Sequence, residues 1–296
     1  MTDDAERAWL ATAVGEQVTS YARARWGFTN QTFLVALADG TRRAVQRPTR
    51  TPSESAMLLQ RALAERLTDA GIATPPLLTW DLGADPPWIV RGYLPGTTAN
   101  TLLEDEDAAL AMAALCGALL PQIAATPTHG LALDVRWAAG ETLAAAAAGW
   151  LATIAAPLGS RAALTLADVC AELPQLFAGR PPRLAHGDFC PVNLLIDGGR
   201  ISGVLDLEGA RLADALFDVA WWGWVVRFHH PERWRAIWPT FMAAATQGDV
   251  SDEAGATRER RIWALQLLQL LERAALEPAQ RELWVERLLA TLSRPD

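Results

Sequence analysis

A short hairpin set inside helical sequence is the feature that most constrains this chain. Alanine-rich segments at about 107–125 and 138–156 have the high intrinsic propensity of buried bundle helices, and Ile262, Leu265, Leu268 and Leu271 continue a helical period further on. Between them lie the β-like runs Leu194–Ile196 and Ile201–Leu205, joined by the turn sequence Asp197-Gly198-Gly199. A plain helical bundle leaves such an insertion without a reason. The residues at its two ends therefore deserve chemical scrutiny.

The hairpin is preceded by His186-Gly187-Asp188-Phe189-Cys190-Pro191-Val192-Asn193 and followed by Asp206-Leu207-Glu208. Asp188 and Asn193 stand at either end of a loop containing Pro191, while Asp206 leaves the far end of the second strand, so the hairpin predicts that all three reach one edge. Oxygen-bearing side chains in such a set suit a hard divalent cation, above all Mg²⁺, which keeps water ligands and takes one or two carboxylates together with phosphate oxygens. That is the chemistry of phosphoryl transfer. Glu208 is either a ligand for a second metal or an acid facing water.

The chain changes character near Pro95-Gly96. Residues 1–95 balance 10 acidic against 10 basic groups, whereas residues 96–296 hold 24 acidic and 16 basic ones, so the net charge of −8 belongs to the second part. In the first part Thr32–Leu37 and Arg43–Gln46 read as antiparallel strands around an Asp39-Gly40 turn, and Leu77–Trp80 and Trp88–Leu94 as two more. Ser53 is an N-cap for a helix ending near Gly71, and Pro278 is placed to open the last helix.

Composition excludes several functions. A pI near 5.1 argues against a broad grip on nucleic-acid phosphates and favours cationic or neutral small molecules as partners. All 26 basic residues are arginine, so no Schiff-base lysine exists on this chain. The three cysteines form no CxxC pair, which indicates neither a disulfide framework nor a zinc site and fits a reducing cytoplasm. The acidic N-terminus reads as no signal peptide, and the apolar stretches as alanine-rich and too short for a membrane span.

With these motifs in this order the sequence resembles the aminoglycoside phosphotransferase and choline kinase superfamily, whose fold is like that of protein kinases. The resemblance rests on H-G-D-x-x-x-x-N at His186–Asn193, D-x-E at Asp206–Glu208, and Asp214-Ala-Leu-Phe-Asp218, which is similar to the family's G-D-P-L-x-D. It extends to Gly27–Phe33, similar to the nucleotide-loop G-x-S/T-N pattern, and to Ile89–Gly96, similar to the hinge. What it implies is an α+β, two-lobed, protein-kinase-like fold. Residues 1–95 would form a small antiparallel-sheet lobe binding ATP or GTP, and residues 96–296 a larger, mainly helical lobe for catalysis and acceptor binding.

By the same resemblance Asp188 is the base that receives or orients an acceptor hydroxyl, and Asn193 and Asp206, with Glu208, hold Mg²⁺ against the nucleotide phosphates. Thr29 and Asn30 belong to the nucleotide loop, and Arg91 and Tyr93 to a hinge that meets the base through backbone groups. In kinase-like folds the position of Gln46 carries a lysine or arginine that meets the phosphates and pairs with a helix glutamate. Here Arg47 or Arg43 takes over or the site is attenuated, and Gln60 and Glu65 both remain open as the helix partner.

Asp218 reads as a buried carboxylate tying loop amides together and Asp214 as a turn former, while His186, which beside Gly and Asp could be a base, is by the resemblance a loop organiser. The aromatic cluster from Trp221 to Trp238 reads as core more readily than as a ligand site, with Glu272 beside it as a candidate acceptor contact. The expected activity is transfer of a γ-phosphoryl group to a hydroxyl of an aminoglycoside-like antibiotic or related metabolite. The alternatives are a kinase for choline, a sugar or a macrolide, or a catalytically silent nucleotide-binding protein.

Overall fold

A computed structural model describes residues 3–24, 30–247 and 255–293 of the chain. In chain order the elements are α1 (Asp3–Val14), β1 (Val18–Arg23), β2 (Asn30–Leu37), β3 (Arg42–Pro48), α2 (Glu54–Asp69), β4 (Leu77–Asp81), β5 (Trp88–Gly92) and β6 (Thr97–Thr98). There follow α3 (Glu106–Ala125), α4 (Gly140–Leu158), α5 (Ser160–Leu176), β7 (Arg183–Ala185), β8 (Leu194–Asp197), β9 (Arg200–Val204) and β10 (Arg211–Ala213). The chain closes with α6 (Phe217–His229), α7 (Pro231–Ala245), α8 (Gly255–Leu276) and α9 (Arg281–Ser293). This is the α+β, kinase-like arrangement expected from the sequence.

Contacts divide the chain into two units. The first comprises residues 1–101, 129–132 and 192–208, and the second holds the remainder. The sequence reading drew its division at residue 95 and counted the hairpin with the helical part. In the structure β8 pairs with β9 and, on its other edge, with β6, and Val204 N donates to Ala73 O at 2.8 Å, which ties the hairpin to the first unit.

The first unit is built on an antiparallel sheet of order β1-β2-β3-β5-β4. Alternation along its strands sends Phe33, Val35, Leu37, Val45 and Val90 to one face, where Leu10 and Ala13 of α1 complete a buried core. Trp9 meets Phe33 edge-on with ring centroids 5.6 Å apart. Leu77 and Ile89 face the other way and pack with Met57 of α2. Each such side chain stabilises the fold by about 1.5–3 kcal/mol on burial. Ser53 caps α2 as expected, its hydroxyl accepting from Ala56 N at 3.2 Å. Neither α1 nor β1 was read from sequence.

The second unit is a helical assembly around α8, whose residues Leu265, Leu267, Leu268, Leu270 and Leu271 are all buried. Gln266, Gln269 and Glu272 are buried among them, so the middle of α8 is enclosed on every side. Helices α3 and α4 are long and apolar enough to cross a membrane by length and composition, which corrects the reading of both as too short. Here α3 packs along α7 and α4 against α5 and α8. At Gly117 a side chain is impossible because an added Cβ would lie 2.4 Å from Phe241 O, so α3 and α7 approach backbone to backbone. Trp221, Trp222 and Trp224 are buried on α6, with Trp222 stacked on Phe241 at 3.8 Å, so this part of the aromatic cluster is core, whereas Phe228, Trp234 and Trp238 are half-buried and His229 is exposed.

Candidate active site

In the second unit, β7 pairs with β10 and delivers the chain into the loop at His186. Asp218, in the first turn of α6, accepts from His186 N at 2.6 Å and from Gly187 N at 3.0 Å. It is buried, and burial pushes its carboxyl above the ordinary value against the opposing pull of His186, the two backbone amides and Arg211. Asp188 N donates to His186 Nδ1 at 3.2 Å, so the histidine organises the loop, as the family resemblance implied. Gly187 has φ of 88°, and a Cβ there would fall 1.8 Å from Gly209 O. Only glycine fits.

Asp188 is held at Oδ1 by two donors, Trp221 Nε1 at 2.7 Å and Arg273 Nη2 at 2.9 Å. The Arg273 guanidinium lies 4.3 Å from the Trp221 ring centroid and 5.3 Å from that of Trp284. A part-exposed carboxylate fixed on one oxygen by an indole and a guanidinium has a set orientation. Arg273 was not legible beforehand, because it lies on a distant helix with no motif linking it to the loop, and nothing singled Trp221 out from the aromatic cluster that follows the Asp214–Asp218 motif.

Glu272 does not stand open to a ligand. It is buried, accepts from Arg211 Nη1 at 2.6 Å and from Trp137 Nε1 at 3.3 Å, and lies 3.3 Å from Arg136 Nη2. Asp214 does form the expected turn, with Leu216 N donating to its Oδ1 at 2.9 Å, but it also pairs with Arg261 in a buried ion pair.

In the first unit the two ends of the hairpin meet. Leu205 N donates to Asn193 O at 2.8 Å, which sets the residue after Leu205 beside Asn193. That residue, Asp206, has φ of 59°, the one non-glycine residue in left-handed backbone among those described. Residues other than glycine seldom take this conformation, and here it occurs next to Asn193. Glu208 accepts from Asn30 Nδ2 at 3.0 Å, which brings a nucleotide-loop candidate and a metal candidate together. Thr29 lies outside the described residues, as do Gly27 and Phe28.

An amide oxygen and a carboxylate are hard donors, and two protein ligands suit Mg²⁺, whose remaining positions go to water and phosphate. Among the described residues no group of three or more His, Cys, Asp or Glu is placed to hold a metal.

Gln46 on β3 accepts from Arg91 Nε at 2.8 Å, and Gln60 on α2 accepts from Arg91 Nη2 at 2.5 Å. Arg91 is thus on a strand with its side chain engaged, and Glu65 is not part of this contact. Arg43 Nη1 donates to Arg42 O at 3.0 Å, and Arg47 bonds Gln31. Tyr93 lies under the guanidinium of Arg42, 3.7 Å from its ring centroid.

Residues 20–241 match the model of the phosphotransferase enzyme family, APH. Over 50 residues, 17% of this chain and 19% of that protein, the sequence is 34% identical to a probable aminoglycoside 3'-phosphotransferase of Lactococcus lactis. Over 36 residues, 12% of this chain and 14% of that protein, it is 50% identical to an aminoglycoside 3'-phosphotransferase of Niallia circulans. These stretches span less than a fifth of either relative. The macrolide 2'-phosphotransferase MphH from Brachybacterium faecium superposes with a TM-score of 0.70 at 19% identity, covering 99% of both chains. A thermostable mutant of aminoglycoside phosphotransferase APH(4)-Ia, in ternary complex with ADP and hygromycin B, does so at 0.68 and 15%, covering 98% of this chain and 99% of that one. At such identities the likeness speaks to the fold.

Proposed function

The chain belongs to the phosphotransferase enzyme family, and from that premise we propose that it transfers the γ-phosphoryl group of ATP or GTP to a hydroxyl of an aminoglycoside-like antibiotic or a related small molecule. The observation that carries this reading is the ordering of Asp188 by Asp218, His186, Trp221 and Arg273 inside an H-G-D-x-x-x-x-N motif.

Residues 1–95 serve as the nucleotide-binding lobe and residues 96–296 as the catalytic and acceptor-binding lobe. Asp188 accepts a hydrogen bond from the acceptor hydroxyl, orients its oxygen toward the γ-phosphorus and takes its proton as the new O–P bond forms and the bond to the β,γ-bridging oxygen breaks, releasing the nucleoside diphosphate. In a loose transition state the protein's task is alignment more than covalent chemistry, so a carboxylate with a fixed rotamer is well matched to it. Asn193 and Asp206 would hold Mg²⁺, with Glu208 nearby. When bound, the ion neutralises phosphate charge. Asn30 steadies Glu208 and lies next to the phosphates, and Thr29 is kept as a nucleotide-binding residue on its motif alone. The enzyme works in the cytoplasm, where its nucleotide donor is found, and needs neither nucleic acid nor a membrane.

A phosphoryl-transfer screen tests the reading: ATP and GTP against aminoglycosides, macrolides, amino alcohols and sugars, with products followed by mass. Acceptor-dependent nucleotide turnover is expected. Nucleotide binding without turnover on any acceptor would favour a silent binding protein.

A further inference from the structure

We infer that Arg91 is the phosphate-binding cation of this protein, delivered from β5 and held in place by the side-chain amides of Gln46 and Gln60. This rests on the nucleotide-dependent reading above and says which residue meets the phosphates within it.

Strand register separates the three candidate arginines. Ala44 is opposite Arg91, and Gln46 is opposite Ile89. Period-two alternation then puts Ala44, Gln46, Ile89 and Arg91 on one face, the face where Ile89 packs with Met57 of α2. Arg43 and Arg47 share the opposite face with Val45, whose neighbours are Leu10 and Ala13 of α1. Neither can turn to the α2 side without reversing the strand. Arg91 is the diagonal neighbour of Gln46 on the correct face, and the small Ala44 directly across leaves room for its guanidinium.

The choice of partners fits a cation kept for a ligand. A carboxylate from α2 would cancel the charge of Arg91, whereas the two amide oxygens hold its orientation and leave the charge intact. A guanidinium offers five N–H donors. Gln46 engages Nε and Gln60 engages Nη2, and among the described residues Nη1 makes no hydrogen bond. Burial pulls the guanidinium below its ordinary value, while the nearby carboxylates of Asp206 and Glu208 favour the charge. Thus Arg91 is electrostatically coupled to Asp206, the proposed metal ligand, whereas Arg42, which shares this face, lies over the Tyr93 ring. The ligand class is a nucleoside di- or triphosphate, met through a planar fork suited to phosphate oxygens.

Titration calorimetry on the full chain with ATP, ADP and adenosine tests this, using guanosine counterparts if GTP is the donor. Arg91→Ala should raise the Kd for ATP and ADP about ten- to a hundredfold, the range for a lost charge-assisted hydrogen bond, and leave adenosine unchanged. Arg91→Lys should fall between, having charge without the fork. The triple change Arg91→Met, Gln46→Lys, Gln60→Glu returns the cation to β3 and should restore ATP affinity to within a few-fold. If Arg91→Ala does not fold, the triple variant decides alone. Unchanged ATP affinity in folded Arg91→Ala, equal loss of ATP and adenosine, or a folded triple variant that fails to bind ATP overturns the inference. Wild-type protein that binds neither ATP nor GTP overturns the proposed function itself, a distinct result.

Discussion

Arg273 on α8 donates to Oδ1 of Asp188 at 2.9 Å, joining residues 85 positions apart. Both side chains are partly exposed, so the pair contributes about 1 kcal/mol or less to stability. Its effect is on orientation. Arg273→Ala should lower kcat/KM for the acceptor about ten- to a hundredfold without changing nucleotide affinity, and Arg273→Lys should recover part of it. Asp188→Asn, nearly isosteric, should lower kcat by about 10²–10⁴ with folding and nucleotide binding retained. Steady-state kinetics on a found acceptor, alongside calorimetry, checks both; an unchanged kcat in Asp188→Asn removes the residue from the base role.

Asp206→Ala should weaken nucleotide binding in the presence of Mg²⁺ and abolish turnover, while metal-free nucleotide affinity changes less. Calorimetry with and without Mg²⁺ separates the two. Equal losses in both conditions would point to a damaged fold.

Glu272 joins α8 to Arg211 of β10, and both side chains are largely withdrawn from water. Glu272→Gln leaves Arg211 without its carboxylate and should cost about 3 kcal/mol in chemical denaturation, because an uncompensated charge is then buried. A cost below that of an ordinary surface substitution would show that Asp134 or solvent takes over.

Burial pushes the Cys116 thiol from 9.0 up to about 12 and Cys170 up to about 11. A group raised on folding contributes its full stability below the unfolded value and loses it as pH climbs toward the folded one. Stability should therefore decline from about pH 9 toward 12. With no lysine and two tyrosines in the chain, few other groups titrate there. Cys116→Ala should flatten this decline, measured as unfolding free energy against pH; an unaltered slope assigns it elsewhere.

The sequence made the hairpin, the four strands from β2 to β5 and the capped α2 legible because each has a local signature: alternation, an Asp-Gly or Gly-Gly turn, a serine cap. It also showed the roles of Asp218 and His186, since both act within a compact loop motif. Strand β1 was illegible because Thr19 and Ser20 give it no apolar alternation, and α1 because it buries only Leu10 and Ala13, too few for a clear helical period. The contacts of Arg91, Arg273 and Arg211 come from strand register and helix packing, which no single sequence prints. A neutral Gln46 was visible as a gap. What fills the gap on the same sheet face became apparent only when β5 was set beside β3.

The left-handed backbone at Asp206 sets two pressures against each other. Its φ of 59° is best met by glycine or asparagine, and strain of this kind costs about 1–3 kcal/mol elsewhere. Its proposed work needs a negative carboxylate. A library screened for thermal robustness alone would thus drift toward glycine or asparagine at this position and accumulate sturdy, inactive proteins, whereas a screen for turnover would hold aspartate there against the backbone's preference.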